Sequence, residues 1–491
     1  MDKAPKKPGS LKKNSALNAM RQVCAVLFPL VTFPYATRVL GAGNYGKVQF
    51  GFSIIGCIAL VACLGVIEYA IREGAKVRDD KASFQKLASQ VFSINIMSMA
   101  FSYLLLIMLL LFWKKTDGYS VLLLIQSLCI LFTTLGTDWI NTVYEDYAYI
   151  TVRYIICHLI SLALMFLLVH GPEDYILYAL ACVSTDVLAG IANVFYIRRR
   201  YGISPRFTLD IGGNKHLGPI MILFGSTVAS FFYINSDVVM LGILKDEYAV
   251  GIYSAAARIY LSVKQVLNAS LAVAIPRVSN NIAGNKDNTV LLNKIRTALL
   301  LILMPACCGL FAISDNIVLL FSGSGYLEAG PLLKILSIAL FFATSGCYYV
   351  SVIMIPYKKE KLVLYGTIVS AVVNVGLNAV FIPIYGYYAA AVTTVISEVI
   401  MLATGVIFTR SEVRPNLVKP YIVSAVNICL ILAIAFAADL IFSSNIAILA
   451  VTVALSVLSV ALVIFLAYYK EASPHVRLFF KKLAKDRGTQ N

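Results

Sequence analysis

Fourteen segments of the chain are apolar over roughly 20 to 28 residues, long enough to cross the hydrocarbon core of a bilayer as α-helices. In lipid, every backbone N–H and C=O must be bonded inside the spanning element, so long apolar segments form helices. The sequence therefore predicts an all-α polytopic membrane protein with fourteen transmembrane helices. Their approximate cores are residues 15–39, 47–71, 90–113, 119–142, 150–169, 174–197, 217–243, 249–276, 292–313, 331–355, 362–384, 386–409, 418–441 and 444–468.

The charged residues are few and unevenly placed. They make up 13% of the chain against 59% hydrophobic residues, whereas a soluble domain carries about 25% charged residues. When alternate loops are assigned to one side, most Lys and Arg fall on the side of the N-terminus. Only a few lie on the other side: Lys47, Lys114, Lys115, Lys245 and Lys334. Because basic loops favour the cytoplasm, we expect both termini there. The net charge of +16 thus reflects topology and implies no nucleic-acid partner.

The longest break in the first half of the chain, residues 199–216, is a basic linker that divides six predicted spans from the next six. The halves show a weak repeat, in which Ala179–Arg198 aligns without gaps on Ala391–Arg410. Such repeats, moving around a shared midplane site, are typical of secondary transporters. We therefore expect two six-helix lobes, 14–198 and 217–410, followed by helices 13 and 14 in residues 411–469. A basic N-terminal arm, 1–13, and a basic cytoplasmic tail, 470–491, flank them, and the arm is expected to contact membrane lipids.

Two patterns that elsewhere indicate metal or cofactor sites do not do so here. The ten cysteines lie within predicted spans without metal-ligand spacing, and His158 is the only histidine in a span, where we expect it to be buried and hydrogen-bonded. Gly41, Gly43 and Gly46 form a G-x-G-x-x-G, but a dinucleotide site needs a preceding strand and a βαβ unit. We interpret these glycines as a tight external turn. We expect neither a metal nor a cofactor.

One apolar run, Ala249–Pro276, carries Arg258 and Lys264 near its middle. A cation at the bilayer centre costs at least about 2.5 to 3.5 kcal/mol on insertion scales, so it usually faces water or an opposite charge. The polar residues of this run follow helical spacing and share one face: Ser254, Arg258, Ser262 and Gln265. Two interpretations remain open. Either the cations pair with carboxylates on neighbouring helices, or they line a path for an anionic cargo.

Further charged residues lie inside or at the edges of other predicted spans. The cations are Arg21, Arg38 and Arg153, and the acids are Glu68, Asp138, Asp186, Asp237 and Glu398. Asp138 and Arg153 flank a short hairpin and are expected to contact each other. Glu68 and Arg72 have the i, i+4 spacing of a helical ion pair. Carboxylates in mid-span, such as Asp186 and Glu398, either pair with a cation or take part in proton or ion coupling.

Several stretches carry a resemblance to a known family: Phe28–Tyr45, Leu64–Asp80, Asp138–Ile155, Ser236–Leu241, Gly251–Ser279 and Ala389–Glu398. Together they resemble the Wzx-type oligosaccharide flippases, which translocate O-antigen and capsule repeat units and belong to the multidrug/oligosaccharidyl-lipid/polysaccharide exporter superfamily. The likeness covers most of residues 10–410. It implies fourteen spans, two six-helix lobes around a central cavity, and alternating access in the bacterial cytoplasmic membrane.

The resemblance also implies a cargo, which is an oligosaccharide repeat unit linked through pyrophosphate to undecaprenol and moved to the outer leaflet. Flippases of this kind are associated with a cationic cavity, for which the candidates in this sequence are Arg258, Arg21, Lys264, Arg153 and Arg38. The candidates for ion coupling or counter-charge are Asp186, Glu398, Asp237, Asp138 and Glu68. A polymerase or ligase of the same pathway is an expected partner.

Two other functions compete with this interpretation. A cation-coupled multidrug exporter of the same superfamily should have an acid-rich cavity with few buried cations, which is not the balance found here. A membrane polysaccharide polymerase or ligase should carry catalytic acids or bases on a large external loop. The longest such loop, about residues 314–330, offers only Asp315 and Glu328. The sequence therefore favours a flippase over an enzyme.

Overall fold

The computed structural model describes residues 11–284, 286–413 and 418–488, and it describes side chains there except at residues 11–15, 214 and 470–488. Within these ranges the chain is helical and contains no strand. The predicted all-α fold is confirmed. Most of the basic arm 1–13 and the side chains of the basic tail 470–491 lie outside the described part.

The helices are long and follow one another with short connections. The first nine are α1 (Leu11–Cys63), α2 (Val66–Val77), α3 (Lys81–Phe112), α4 (Ser120–Gly136), α5 (Trp139–Val143), α6 (Tyr147–Leu168), α7 (Tyr175–Tyr201), α8 (Asn214–Leu244) and α9 (Glu247–Ala272). The others are α10 (Ile275–Ala283), α11 (Thr289–Ala312), α12 (Ser314–Ser322), α13 (Ala329–Cys347), α14 (Glu360–Tyr385), α15 (Tyr387–Phe408), α16 (Val418–Ile441) and α17 (Asn445–Gly488). A π-helical segment, Tyr348–Met354, continues α13.

Twelve helical stretches of the described chain are long and apolar enough to span a membrane. The first, Ala16–Val77, covers the predicted spans 15–39 and 47–71. The two predicted spans are joined without a loop. Inside α1 the backbone departs from helical geometry only at Gly41 (φ 71°, ψ 170°). Predicted span 119–142 coincides with a shorter apolar helix, Ser120–Gly136. The count of fourteen spans therefore stays a prediction.

Local sequence explains where several helices begin and end. The Asp80 carboxylate accepts a hydrogen bond from the Ala82 N–H (3.0 Å) and caps α3, and Asp146 caps α6 by accepting one from the Tyr149 N–H (3.3 Å). Gly202 follows α7 in the left-handed conformation (φ 63°), and Gly386 separates α14 from α15 in the same way (φ 59°). Glycine adopts this geometry without a Cβ penalty, so these helices end there.

The described chain divides into two compact units. The first comprises the chain up to Ala255 together with Phe321–Tyr326 and Leu364–Ser397, and the second comprises Ala256–Leu320, Leu327–Val363 and the chain from Glu398 onward. The expected lobes, 14–198 and 217–410, stay a prediction.

In the first unit, the connection between α7 and α8 is bound along α3. The side-chain amide of Gln85 donates to the Ser204 carbonyl (2.6 Å) and its oxygen accepts from the Ser204 N–H (2.9 Å). Two residues further, the Arg206 N–H donates to Ser89 Oγ (3.2 Å), and the Thr208 N–H donates to Ser93 Oγ (2.8 Å). Polar side chains of α3 thus satisfy the backbone of the extended part of the linker.

Helices α1 and α9 touch through two glycines, also within the first unit. A Cβ added at Gly46 would overlap the carbonyl oxygen of Glu247, and one added at Gly251 would overlap the carbonyl oxygen of Ala42. Small residues at such positions let membrane helices approach backbone to backbone.

In the second unit, a hydrogen bond joins the π-helical segment to α11. The Tyr348 hydroxyl donates to the Leu292 carbonyl (3.0 Å).

Candidate functional site

The two cations of α9 lie in different surroundings. Arg258 is exposed, and its guanidinium forms no hydrogen bond or ion pair within residues 11–284, 286–413 or 418–488. Ser262 donates only to the Arg258 backbone carbonyl (2.9 Å). The first interpretation from the sequence, pairing with a carboxylate, is therefore not observed for Arg258 in the described chain. A guanidinium in the middle of an apolar helix remains available to an anion.

Lys264, by contrast, is neutralised. Its ammonium lies 2.7 Å from Oε1 of Glu398 on α15, and the two side chains are 20% and 7% exposed. The Tyr260 hydroxyl donates to the same carboxylate oxygen (3.2 Å), and the ammonium lies 5.5 Å from the centre of the Tyr260 ring. Because all of these groups belong to the second unit, the ion pair fixes α9 to α15 there. Lys264 thus fits the structural interpretation.

A second ion pair occurs in the first unit. Arg153 of α6 lies 2.6 Å from the Asp138 carboxylate, as expected from the hairpin, with side chains 9% and 53% exposed. The guanidinium also lies 5.3 Å from the centre of the Tyr149 ring, which stacks on Tyr196. The buried Nε of Arg153 has no hydrogen-bond partner among the described residues. Asp138 therefore neutralises the charge but leaves one donor unused.

The cations of α1 differ in burial. Arg21 is half-buried, and one guanidinium nitrogen donates to the Asn18 side chain (3.2 Å). Its buried Nε has no partner in the described part of the chain. Arg38 is exposed, beside Gly323.

His158 of α6 is half-buried. It stacks on Tyr154, a neighbour of Arg21, and makes a hydrogen bond through Nδ1 with the Tyr154 carbonyl (2.9 Å). The expected hydrogen bond of His158 is confirmed, but the side chain is half-buried where the sequence predicts a buried one.

Asp237 is surrounded by neutral hydrogen-bond donors in the first unit. Its carboxylate accepts from Tyr253 (2.6 Å), Asn378 (2.6 Å) and Thr394 (2.7 Å), and the residue is 5% exposed. Thr393 donates in turn to the Asn378 side chain (2.6 Å). No Lys or Arg in the described ranges pairs with this carboxylate. Four helices (α8, α9, α14 and α15) therefore meet at one buried acid that pairs with no cation of the described chain.

Sequence reasoning named Asp237 but missed its partners. Asn374 and Asn378 recur at a spacing of four in an otherwise apolar span, which places both amides on one face of α14. Ser236 donates to the Asn374 oxygen (2.5 Å), so the polar cluster continues along α8. Polar residues in a span commonly face the bundle interior, so the i, i+4 spacing of the two asparagines indicates an interior polar site on α14.

The remaining candidate acids have no ion-pair partner among the described residues. Asp186 and Glu68 are both exposed. The expected pair of Glu68 with Arg72 is wrong, because Arg72 Nε lies 3.1 Å from Glu73 Oε1 instead. Glu73 also pairs with Lys76 (2.8 Å), so it bridges two cations, and Glu68 is not part of this group.

No group of three or more His, Cys, Asp or Glu in the described chain has the arrangement of a metal site.

Comparisons of the sequence with known proteins point to one family and its relatives. The sequence profile of the family described as "Polysaccharide biosynthesis protein" matches residues 11–282. The chain is 24% identical to the "Putative O-antigen transporter" of Escherichia coli K12 over 409 residues, covering 82% of this chain and 97% of that protein. It is 28% identical to the "Probable low-salt glycan biosynthesis flippase Agl15" of Haloferax volcanii over 175 residues, which is 35% of this chain and 37% of that one.

Solved structures show a similar fold. One described as "Lipid II flippase MurJ, inward closed conformation" superposes with a TM-score of 0.70 over 93% of this chain and 99% of that one, at 15% identity. An inward-facing multidrug resistance transporter of the MATE family has a TM-score of 0.57 over 78% of this chain and 94% of that one, at 17% identity. At these identities the likeness establishes the fold, which is that of a multi-pass helical transporter.

Proposed function

Because this chain belongs to the polysaccharide biosynthesis protein family, we propose that it is a flippase for a lipid-linked oligosaccharide. Its cargo is an undecaprenyl-pyrophosphate-linked repeat unit, carried by alternating access from the cytoplasmic to the outer leaflet of a bacterial inner membrane. The names of the relatives, an O-antigen transporter and a glycan flippase, support this function. The fold shared with a lipid II flippase supports the same kind of cargo.

The proposal rests on the guanidinium of Arg258, which has no ion-pair or hydrogen-bond partner among the described residues. A buried or membrane-embedded cation without a counter-charge is expensive, and it is retained where it meets an anionic ligand. A pyrophosphate suits it, since the planar guanidinium binds phosphate oxygens through two parallel N–H bonds. Where the local dielectric is lowered, such a contact is stronger than at a surface. Arg258 is the first candidate for holding the pyrophosphate.

Arg21 and Arg153 are the next candidates in the cargo path. Each keeps a buried Nε without a hydrogen-bond partner among the described residues. Arg153 is held in place by Asp138 and by the Tyr149 ring, so its remaining donor is oriented without further cost in side-chain entropy. Arg38 and Lys264 rank below them, Lys264 because Glu398 already neutralises it.

The membrane potential supplies a driving force in the proposed direction. With the cytoplasm negative, moving about two negative charges outward gains roughly 4 to 5 kcal/mol per 100 mV if they cross the whole field. A coupled cation is the second contribution that we propose. Asp237 is its candidate site, because its carboxylate is buried among hydroxyl and amide groups with no Lys or Arg partner in the described ranges.

The experiment is made in cells that depend on this protein for a surface polysaccharide. Arg258→Ala should abolish the surface polysaccharide at normal protein abundance, while Arg258→Lys should retain part of it because charge is kept and the bidentate geometry is lost. Arg410→Ala, which removes an exposed arginine elsewhere, is the matched control and should have no effect. Wild-type output from Arg258→Ala would remove this residue from the mechanism.

The same cells separate the flippase from its competitors. A multidrug exporter would lower drug susceptibility without affecting the polysaccharide, so measuring the drug susceptibility of these cells distinguishes an exporter from a flippase.

A polymerase or ligase is tested with purified protein. It would form new glycosidic bonds when given lipid-linked oligosaccharide. For that activity Asp315 is a poor catalytic candidate, since its carboxylate is paired with Lys334 (2.6 Å). We expect no new bonds.

A further inference from the structure

An apolar groove lies in the second unit where α9 ends. Its volume is about 230 Å³. The α9 helix stops at Ala272, and α10 begins at Ile275 after a short turn that precedes Pro276. The apolar walls come from the end of α9 and from α11: Leu267, Leu271, Leu291, Ile295, Leu299 and Ile302. Val273 and Ile302, at the edge of the groove, are exposed, so the groove opens sideways.

The dimensions of the groove match one leaflet of a bilayer. The α11 wall runs from Leu291 to Ile302, and at 1.5 Å per residue this corresponds to about 16 Å along the helix axis. The hydrocarbon core of a bilayer is about 30 Å thick, so the groove follows a spanning helix through about half of it. A single extended acyl chain has this reach. The exposed apolar edges would lie against lipid tails.

One cation stands at the end of the groove where α11 begins. Arg277, in the first turn of α10, lines the groove and is exposed. Its backbone N–H donates to the Ala274 carbonyl (3.1 Å), but its guanidinium forms no hydrogen bond or ion pair with any residue that the structure describes. Two contacts fix α10 beside the start of α11: the Asn288 amide donates to the Val278 carbonyl (3.4 Å), and the Asn281 amide donates to the Asn288 side chain (2.9 Å). The guanidinium is therefore held near one end of an apolar channel.

We infer that this groove binds an anionic glycerophospholipid of the cytoplasmic leaflet, with its phosphate at Arg277 and one acyl chain along α11. The distribution of Lys and Arg predicts that this end of the helices lies on the cytoplasmic side, and basic pockets between helices on that side bind anionic head groups. Arginine favours a phosphate ester because its planar donors match the phosphate oxygens. The cargo also carries phosphate at the end of its tail, but an undecaprenyl chain is much longer than this groove, so a glycerophospholipid fits better than the prenyl tail of the cargo.

The test uses the purified full-length protein, stripped of lipid in detergent. Dioleoyl phosphatidylglycerol and dioleoyl phosphatidylcholine are added separately, and bound lipid is counted by native mass spectrometry while the melting temperature is followed. We expect phosphatidylglycerol to be retained and to raise the melting temperature more than phosphatidylcholine does. Arg277→Gln should lose about tenfold in affinity for phosphatidylglycerol, as expected for the removal of one charge-assisted hydrogen bond. Lys361→Gln, the control at another exposed cation, should bind as wild type does.

A second variant tests the groove itself. Ala298→Trp places a large ring where a small exposed residue now lines the wall, and it should reduce binding of both lipids. It also keeps the test decisive if Arg277→Gln does not fold. Equal retention of the two lipids by the wild type, or unchanged binding by Ala298→Trp, would overturn the inference. Displacement of phosphatidylglycerol from the wild type by undecaprenyl phosphate would assign the groove to the cargo tail and overturn the inference as well. Since binding is measured on the purified protein, the result does not depend on the cargo role of Arg258.

Discussion

The ammonium of Lys264 lies 2.7 Å from a carboxylate oxygen of Glu398, and both side chains are largely buried. Six residues earlier on the same helix, the exposed guanidinium of Arg258 has no carboxylate partner in the part of the chain that the structure describes. The two cations of α9 thus differ in their surroundings, and we propose that they differ in function as well. Lys264 stabilises the contact between α9 and α15, and Arg258 is available to a ligand.

Glu398→Gln should reduce the stability of the protein. Removing one partner of a buried ion pair leaves the other charge uncompensated, at a cost of about 3 to 5 kcal/mol, and the partial exposure of Lys264 puts this case at the low end. The melting temperature of the purified protein in detergent measures the loss. The double variant Lys264→Met with Glu398→Gln should recover most of it, because no unpaired charge remains. A single variant as stable as the wild type would contradict a structural role for the pair.

Asp138→Asn should have a much smaller effect on stability. The Asp138 side chain is 53% exposed, and exposed ion pairs contribute about 0 to 1 kcal/mol. Arg153 keeps its contact with the Tyr149 ring in this variant. The same melting experiment compares the two pairs directly. A loss as large as that of Glu398→Gln would show that Arg153 is held as a structural partner and is not available to cargo.

Asp237→Asn should alter coupling while the protein still folds. The asparagine amide has the shape of the carboxylate, and the hydroxyls of Tyr253 and Thr394, which now donate to Asp237, can rotate and accept hydrogen bonds from the amide N–H groups. Surface polysaccharide is measured while the external pH or sodium concentration is varied. Output from the wild type should depend on one of these gradients, and output from the variant should not. Identical gradient dependence in both proteins would exclude Asp237 as the coupling site.

Gly46→Ala should prevent normal packing of α1 on α9. The added methyl group would overlap the carbonyl oxygen of Glu247, which is backbone and cannot rotate away, and overpacking of this kind costs about 1 to 3 kcal/mol or more. Gly43→Ala is the matched control, since nothing lies within 4 Å of its Cβ position. The yield of monodisperse protein on size-exclusion chromatography compares them. Equal yields would mean that the two helices are not in close contact.

The sequence predicted those features that depend on local composition or spacing. Long apolar runs predicted the helices, because hydrophobic length is readable residue by residue. The contact of Asp138 with Arg153 followed from a short hairpin. The i, i+4 spacing alone predicts a pair of Glu68 with Arg72. In the structure Arg72 pairs with the adjacent Glu73 instead, because Glu73 lies between two cations and also pairs with Lys76.

Features that depend on distant segments were not predictable. The partner of Lys264 is 134 residues away, and the donors to Asp237 come from helices that only the folded chain brings together. The glycines at positions 43 and 46 look alike in the sequence, yet only Gly46 touches another helix backbone. Predicted span 119–142 is also longer than the helix in the structure. Helix α4 ends at Gly136, because the next residue, Thr137, adopts the left-handed conformation.

We propose that Arg258 holds the pyrophosphate of a lipid-linked oligosaccharide during transport, and a transport assay in proteoliposomes tests this role most directly. Purified wild type and Arg258→Ala are reconstituted with labelled undecaprenyl-pyrophosphate-linked oligosaccharide, a potential is imposed, and the cargo reaching the opposite leaflet is measured by its accessibility to a glycosidase. We predict potential-dependent transfer by the wild type and loss of transfer by Arg258→Ala at equal protein content. Transfer by Arg258→Ala at the wild-type rate would contradict the claim.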